Sequence, residues 1–342
     1  MEREFRLDNT ISKNKSKGIK FIAVIIMVIL HVFGFPDRIA PYLYKSFLII
    51  NGVTIESYLA TGSSIVVHLF LFISGYGMYL LGEQTYKQIF KGIKNLYFEY
   101  WGVFFIFVPL GYYLGKYKFN IKNFLYNLIG LISSYNAEWW FLRAYIAYMI
   151  VYPLSRKLVK KYPNISLIGA MLITGSGMIL GKLIRMNLIP NNLFFSILAS
   201  ILEYYYPFVC GMVVVEKGYF DKLRTFLENK NINFKFLFIV LVIFICWIEK
   251  FHYIRHAFNF VLVPLFLCLL SMFKLEKSKF ILIMSKYTTG IWLIHSFFCY
   301  YYFKKLAFFP KYSVLIFIWI IFLSTVCTIV INYIKNIGRK FI

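Results

Sequence analysis

The chain has 342 residues, of which 60% are hydrophobic, 21% aromatic and only 15% charged. The hydrophobic residues form blocks of about 17 to 24, separated by short basic stretches, which is typical of several transmembrane helices. A water-soluble protein of this size needs a more polar surface. The composition therefore excludes a soluble enzyme, a secreted disulfide scaffold and a disordered protein. A transmembrane β-barrel is excluded as well, because its strands would alternate apolar and polar residues.

The formal net charge is +24, from 38 Lys and Arg against 14 Asp and Glu. A nucleic-acid-binding protein would concentrate such charge on one face or in one domain. Here the basic residues are spread over many short loops between apolar blocks, which is typical of positive-inside topology signals. The distribution predicts the lipid bilayer as a partner, and no nucleic acid.

The predicted fold is all-α, a polytopic membrane protein with about ten transmembrane helices in one membrane domain, 1–342. With the N-terminus inside, the cytoplasmic segments hold roughly twice as many Lys and Arg as the outer ones. Both terminal segments, 1–18 and 335–342, are therefore predicted to be cytoplasmic. The polar block 120–134 is predicted to be interfacial or re-entrant. The ten predicted spans are approximately 19–35, 63–82, 96–114, 138–154, 165–181, 192–215, 236–250, 256–273, 280–303 and 312–334.

The cysteines predict neither a disulfide framework nor a metal site. All five lie inside apolar blocks, and none belongs to a CxxC pair. Such cysteines behave as small apolar side chains that face lipid or the protein core.

The first span contains the most informative pair of residues, Lys20 and His31. They are eleven positions apart, so eleven steps of about 100° return them to one helix face. Along the axis they are about 16 Å apart. An ionisable side chain at membrane depth is a site candidate, and this pair suits an anionic ligand that enters from the cytoplasm. In the alternative interpretation, Lys20 extends to the interface as a topology signal and His31 caps the outer helix end.

Ser74 and Gly75, in the second span, are candidates for binding the donor or the acceptor. Ser74 either forms a hydrogen bond with a substrate or bonds to its own helix backbone. Gly75 permits close approach of a neighbouring helix.

The fourth and ninth spans carry further binding candidates. Glu138, Trp139, Trp140 and Arg143 gather at the outer mouth of the fourth span. Glu138 and Arg143 would line an acceptor site, with the indoles stacking on sugar rings or anchoring the helix at the interface. His295 is a second acid–base group, a group that orients a substrate, or a core histidine.

Five segments of the chain carry a family resemblance. The segment 17–31 resembles the first-helix motif of the acyltransferase-3 family of integral membrane acyltransferases, in which a basic residue, most often Arg, precedes a histidine by eleven positions. Lys20 keeps the charge of that Arg but not its bidentate fork. The following residues, 33–38, resemble the continuation found in one bacterial branch. Three later segments resemble further family motifs, an FxSG-type motif, a Trp-x-Leu…Pro segment and a Tyr-Leu-x-His helix, at 70–76, 140–154 and 289–295.

The resemblance implies transfer of an acyl group, usually acetyl from acetyl-CoA, to a hydroxyl of a carbohydrate or another cell-envelope acceptor. It implies a multi-pass protein of the plasma or inner membrane, with acetyl-CoA as a substrate and no resident cofactor. Members of the family are also implicated in export of acylated small molecules. An exporter of acylated or amphipathic molecules is therefore the alternative.

In acyl transfer, a hydroxyl that attacks a thioester needs a group to accept its proton, and a neutral histidine is the usual choice. His31 would act as this base, or would itself carry the acyl group. Lys20 would attract the CoA phosphates or stabilise developing oxyanion charge.

Overall fold

The computed structural model describes residues 10–251 and 255–338. Parts of both predicted cytoplasmic terminal segments, 1–9 and 339–342, lie outside the described residues. The described chain is almost entirely helical. It contains one antiparallel pair of short strands, β1 (Ile49–Ile50) and β2 (Val53–Thr54), in which Ile49 pairs with Thr54.

Seventeen α-helices occur in the described part of the chain. In order they are α1 (Lys13–Phe33), α2 (Pro36–Ile39), α3 (Ile55–Gly62), α4 (Val66–Leu80), α5 (Tyr86–Tyr113), α6 (Ile121–Leu128), α7 (Trp140–Lys161), α8 (Pro163–Arg185), α9 (Leu193–Leu202), α10 (Tyr205–Lys217), α11 (Tyr219–Asn229), α12 (Phe234–Ile248), α13 (Arg255–Ser271), α14 (Lys279–Met284), α15 (Thr288–Ser296), α16 (Lys304–Ala307) and α17 (Ser313–Gly338).

Within these described residues, five helical segments are long and apolar enough to cross a membrane. Helices α11 and α12, bent by 119° at their junction, would make a sixth if they form one broken span. The membrane character is thus supported, while the count of ten spans and the cytoplasmic termini stay predictions. The five segments are Lys13–Phe33, Ile55–Leu80, Pro163–Arg185, Leu193–Lys217 and Ser313–Asn336.

Two predicted spans are interrupted rather than continuous. The predicted span 192–215 consists of α9 and α10, which are separated at residues 203–204. The predicted span 280–303 contains α14, a 3₁₀ turn, α15 and a π-helical turn. Helix α6, within 120–134, has eight residues and reaches only about 12 Å, which is less than half the thickness of the hydrocarbon core.

The described residues group into two compact units, each assembled from three stretches of the chain. The first unit comprises the described residues of the stretches Met1–Lys20, Ile65–Ile89 and Ala144–Ile281. Within it, α4 and α10 approach so closely that a Cβ on Gly75 would overlap the carbonyl oxygen of Phe208. Small residues allow such backbone contact between membrane helices, as the sequence predicted for Gly75.

The second unit comprises the described residues of the stretches Phe21–Ser64, Phe90–Arg143 and Leu282–Ile342. Its helices are joined by polar contacts at several levels. The Tyr100 hydroxyl of α5 donates to the Asn127 carbonyl of α6 at 2.6 Å, and Glu99 forms an ion pair with Lys335 of α17 at 2.7 Å. This unit contains the polar cluster described in the next subsection.

The predicted topology is testable by cysteine labelling at two exposed positions, Lys118 and Lys222. We expect Lys118→Cys to react with a membrane-impermeant maleimide in intact cells, and Lys222→Cys to react only after the cells are opened. The wild-type protein is the control, because its five cysteines are buried or half-buried. The opposite labelling pattern would show that the topology is inverted.

Candidate active site

His31 lies near the C-terminal end of α1, with 7% of its surface exposed. Three polar side chains of the second unit surround its ring. Nδ1 is 2.9 Å from the Tyr300 hydroxyl and 3.1 Å from His295 Nε2. On the other side of the ring, Nε2 is 3.4 Å from Glu138 Oε2. The fold therefore brings together three of the predicted site residues, His31, Glu138 and His295.

The hydrogen bonds of His295 determine which of its ring nitrogens carries hydrogen. Its Nδ1 is 3.1 Å from the Ile291 carbonyl oxygen and 2.8 Å from that of Trp292. Carbonyl oxygens only accept hydrogen bonds, so Nδ1 of His295 is the donor. In the neutral ring, Nε2 then has a lone pair, which points toward His31.

The same reasoning assigns the tautomer of His31. Tyr300 donates its hydroxyl hydrogen to Glu138 Oε1, 2.6 Å away, because a carboxylate oxygen only accepts. The Tyr300 oxygen and His295 Nε2 therefore both accept from His31 Nδ1. Neutral His31 thus carries hydrogen on Nδ1 and a lone pair on Nε2, beside the carboxylate of Glu138. A proton accepted by Nε2 would lie between the imidazole ring and a carboxylate, which is the arrangement of an assisted general base.

Glu138 is held at the start of α7 by a short 3₁₀ turn, Ala137–Trp139. The Asn136 side chain caps this turn by accepting from the Glu138 backbone N–H at 3.1 Å. Arg38 of α2 donates to Glu138 Oε1, also at 3.1 Å. The carboxylate therefore contacts a cation, a phenol and an imidazole at once, and these contacts fix its orientation.

A π-helical turn at Phe297–Tyr301, directly after α15, positions the two tyrosines of the site. Such turns insert an extra residue into a helix and change the direction of the side chains that follow. Tyr300 contacts His31 and Glu138, while the Tyr301 hydroxyl accepts from the Ala137 backbone N–H at 2.9 Å. Ser296 directly precedes the turn, and its hydroxyl accepts a hydrogen bond from the Asn136 amide at 2.7 Å. This bond ties the start of the turn to the residue that precedes Ala137.

Trp139 differs from the expectation that its indole stacks on a sugar. Its side chain is 1% exposed, and the ring packs against Tyr100 and Phe297. The indole N–H donates to the Leu293 carbonyl at 3.0 Å. Because its ring faces are covered by protein, Trp139 supports the turn that carries Glu138 and presents no face to a ligand. The neighbouring Trp140 is half-buried and packs edge to face with Phe141.

Arg143 is half-buried and donates to the Leu131 carbonyl at 3.2 Å. This contact ties α7 to the segment after α6. Arg143 is not among the side chains that contact His31, so its predicted acceptor role stays a prediction.

Lys20, Ser74 and Gly75 lie on segments of the first unit. Lys20 is half-buried on α1, and its side chain forms no hydrogen bond or ion pair with another residue of the described chain. The Ser74 hydroxyl donates to the Phe70 carbonyl one turn earlier on α4, at 2.7 Å. Gly75 has the close packing with α10 described above. The roles of all three in substrate binding stay predictions.

The sequence did not identify Tyr300 or Arg38 as site residues. Tyr300 belongs to a run of aromatic residues, and no periodic pattern in the sequence distinguishes it from its neighbours. The direction of its side chain depends on the π-helical turn. Arg38 was visible only as part of the segment 33–38 that resembles the family motif. Its proximity to Glu138 depends on contacts between residues 100 positions apart.

Taken together, the apolar helices and the contacts around His31 define a helical membrane protein with a buried polar cluster. A family model described as an acyltransferase domain matches residues 14–335. The chain therefore belongs to the acyltransferase-3 family, and the resemblance predicted from the motifs is confirmed. The membership supports acyl transfer as its general activity. Searches of curated proteins and of solved structures gave no significant match.

Proposed function

We propose that this protein transfers an acetyl group from cytoplasmic acetyl-CoA to a hydroxyl of a cell-envelope carbohydrate. The observation that carries this proposal is the position of the buried His31 ring, with Nε2 3.4 Å from the Glu138 carboxylate and Nδ1 2.9 Å from the Tyr300 hydroxyl. A hydroxyl is a weak nucleophile until a base takes its proton, and a buried neutral imidazole is suited to this task.

In the proposed reaction, His31 Nε2 accepts the proton of the acceptor hydroxyl as its oxygen attacks the thioester carbonyl carbon. The new C–O bond forms, the C–S bond breaks, and His31 returns the proton to the leaving CoA sulfur. The products are the acetyl ester and free CoA. Glu138 stabilises the transient imidazolium, and Tyr300 and His295 hold the Nδ1–H side of the ring.

Acyl transfer through a covalent acyl-histidine is a second route that the same residues would serve. In that case the acetyl group forms a bond to His31 Nε2 before the acceptor hydroxyl attacks. Rapid quenching with labelled acetyl-CoA in the absence of acceptor distinguishes the two routes. Label bound to the protein supports the covalent route, and unlabelled protein supports the general base.

The test of the proposed function uses purified protein in vesicles, radiolabelled acetyl-CoA and envelope glycans. We expect label to appear in the glycan as an alkali-labile ester and to depend on active protein. Parallel reactions with longer acyl-CoA thioesters define the donor. Movement of an acylated small molecule across the vesicle membrane without label transfer would support an exporter instead.

Lys20 is proposed to attract the phosphates of CoA as a point charge. We expect Lys20→Arg to retain activity and Lys20→Ala to raise the KM for acetyl-CoA about tenfold or more, because a hydrogen bond to a charged group is lost. The measurement is KM at fixed acceptor concentration. Lys17→Ala is the matched control, since Lys17 is exposed on the same helix. An unchanged KM in Lys20→Ala would remove Lys20 from the donor site.

His295 is proposed as a positioning residue that accepts a hydrogen bond from His31 Nδ1. A glutamine amide oxygen reaches the place of the histidine Nε2, whereas the shorter asparagine does not. We therefore expect His295→Asn to lower kcat about tenfold more than His295→Gln. The measurement is kcat with both substrates saturating. Equal losses in the two variants would contradict this role and indicate that His295 acts through packing alone.

The proposed localisation is the plasma or inner membrane, with the donor bound from the cytoplasm and the acceptor reached from the opposite side. The supporting observation is that His31 lies near the end of α1 that the predicted topology places outside. Lys20 lies about 16 Å closer to the inside along the helix axis.

A further inference from the structure

Two surface segments next to the polar cluster carry an excess of positive charge. One includes α2 and residues up to 45, and the other runs from α16 to residue 313. The backbones of these segments pair, since Lys45 N–H donates to the Lys311 carbonyl at 2.7 Å and Ser313 N–H donates to the Lys45 carbonyl at 3.0 Å. The Lys304 ammonium donates to the Ala40 carbonyl at 3.4 Å. Their basic residues, termed the basic rim, are Arg38, Lys45, Lys304, Lys305 and Lys311.

Little negative charge balances the four lysines of the basic rim. None of them has a carboxylate within ion-pair distance in the described parts of the chain. Asp37 is exposed on α2. Glu56 is buried, and its oxygens accept hydrogen bonds from Ser46, Ser313 and the Phe47 backbone N–H. The lysines are therefore available to an external anion.

Arg38 connects the basic rim with the candidate active site. Its Nη1 donates to Glu138, and its guanidinium lies 4.2 Å from the ring centroid of Phe35 and 5.4 Å from that of Tyr300. The Arg38 side chain is 44% exposed. A guanidinium has five N–H donors. Arg38 can thus contact Glu138 and an anionic group outside the cluster at the same time.

The concentration of Lys and Arg in the basic rim is unexpected on the side of the membrane where the predicted topology places it. The segments follow α1 and precede α17, which places them outside in the predicted topology. Short outer loops of membrane proteins are depleted in Lys and Arg, and clustered like charges repel one another. The basic rim lies beside the candidate active site in spite of this depletion and this repulsion. Its charge therefore indicates that the site binds an anionic ligand.

We infer that the hydroxyl acceptor is an anionic glycan, whose phosphate or carboxylate groups bind the basic rim while its hydroxyl reaches His31. This inference rests on the acetyl transfer proposed above. It assigns a negative charge to the acceptor, which the contacts around His31 do not specify. Electrostatic attraction of this kind concentrates an anionic polymer at the site and weakens as salt is added.

The experiment compares two acceptors, a phosphorylated glycan oligomer and the same oligomer after phosphatase treatment. We expect wild-type kcat/KM to favour the phosphorylated oligomer, and the preference to decrease with added salt. In the double variant Lys305→Gln and Lys311→Gln, the preference should fall about tenfold, since an exposed charge pair contributes up to about fivefold. The matched control removes two exposed lysines from the loop after α5, Lys116→Gln and Lys118→Gln, and should keep the wild-type preference.

Equal kcat/KM values for the two oligomers, or a double variant with the wild-type preference, would overturn the inference. Lipid headgroups are the other source of phosphate that could bind the basic rim. Repeating the assay in vesicles of neutral and of anionic lipid tests this alternative. If activity follows the lipid charge and not the acceptor charge, the basic rim binds lipid headgroups and the inference fails.

Binding measured by calorimetry separates this inference from the proposed function. The phosphorylated oligomer should bind the wild-type protein more tightly than the dephosphorylated one, and the double variant should lose this difference. This result would support the anionic acceptor even if no acetyl group were transferred. Absence of any difference in binding would refute it, whatever the catalytic result.

Discussion

Replacement of His31 by alanine or glutamine is expected to reduce acyl transfer by at least about 100-fold, because the reaction loses the group that accepts the hydroxyl proton. Glutamine keeps hydrogen-bonding atoms near Tyr300 and Glu138 but has no basic nitrogen. If both variants lose acyl transfer while the protein remains folded and inserted, the loss of activity is not caused by altered packing at position 31. The measurement is label transfer from acetyl-CoA, with detergent gel filtration as the check of folding.

The matched control for His31 is His68→Ala. His68 is also a buried histidine, 3% exposed, and lies on α4 in the first unit. Its ring packs edge to face against Tyr204 at 5.3 Å. We expect this variant to lose some stability and to keep the chemical step. Wild-type rates in both His31 variants would show that His31 is structural and would remove the basis of the proposed mechanism.

The second large effect is expected for Glu138→Gln, which should lower kcat about 100-fold or more and leave the KM for acetyl-CoA nearly unchanged. The amide has no charge to stabilise the imidazolium that forms at His31. Its NH₂ group would also donate to Nε2 and occupy the lone pair that the reaction needs. The measurement is the separate determination of kcat and KM at saturating acceptor.

Glu99→Gln is the control for Glu138. Glu99 lies in the same unit and also forms an ion pair, with Lys335 at 2.7 Å. Loss of this pair removes one carboxylate without touching the cluster around His31, so kcat should stay close to the wild-type value. A kcat in Glu138→Gln equal to that of Glu99→Gln would contradict the role assigned to Glu138.

The amino-acid sequence alone predicts an α-helical membrane protein of this family. Long apolar blocks specify membrane helices because unpaired backbone groups are too unfavourable in lipid. The motif with Lys20 and His31 is local to one helix, where a period of 3.6 residues defines a face. The close packing of a neighbouring helix at Gly75 was also predictable, because a small residue in an apolar helix lets another backbone approach.

The groups that surround His31 come together only when distant segments of the chain pack against one another. His295 is 264 positions away and Tyr300 is 269, and helical periodicity relates side chains within one helix, not between helices. The assignment of the lone pair to Nε2 required the carbonyl partners of His295, which depend on backbone geometry. The direction of Tyr300 depends on a π-helical turn, and the burial of Trp139 depends on rings from two other helices. These features arise from packing among distant segments, so no local pattern in the sequence specifies them.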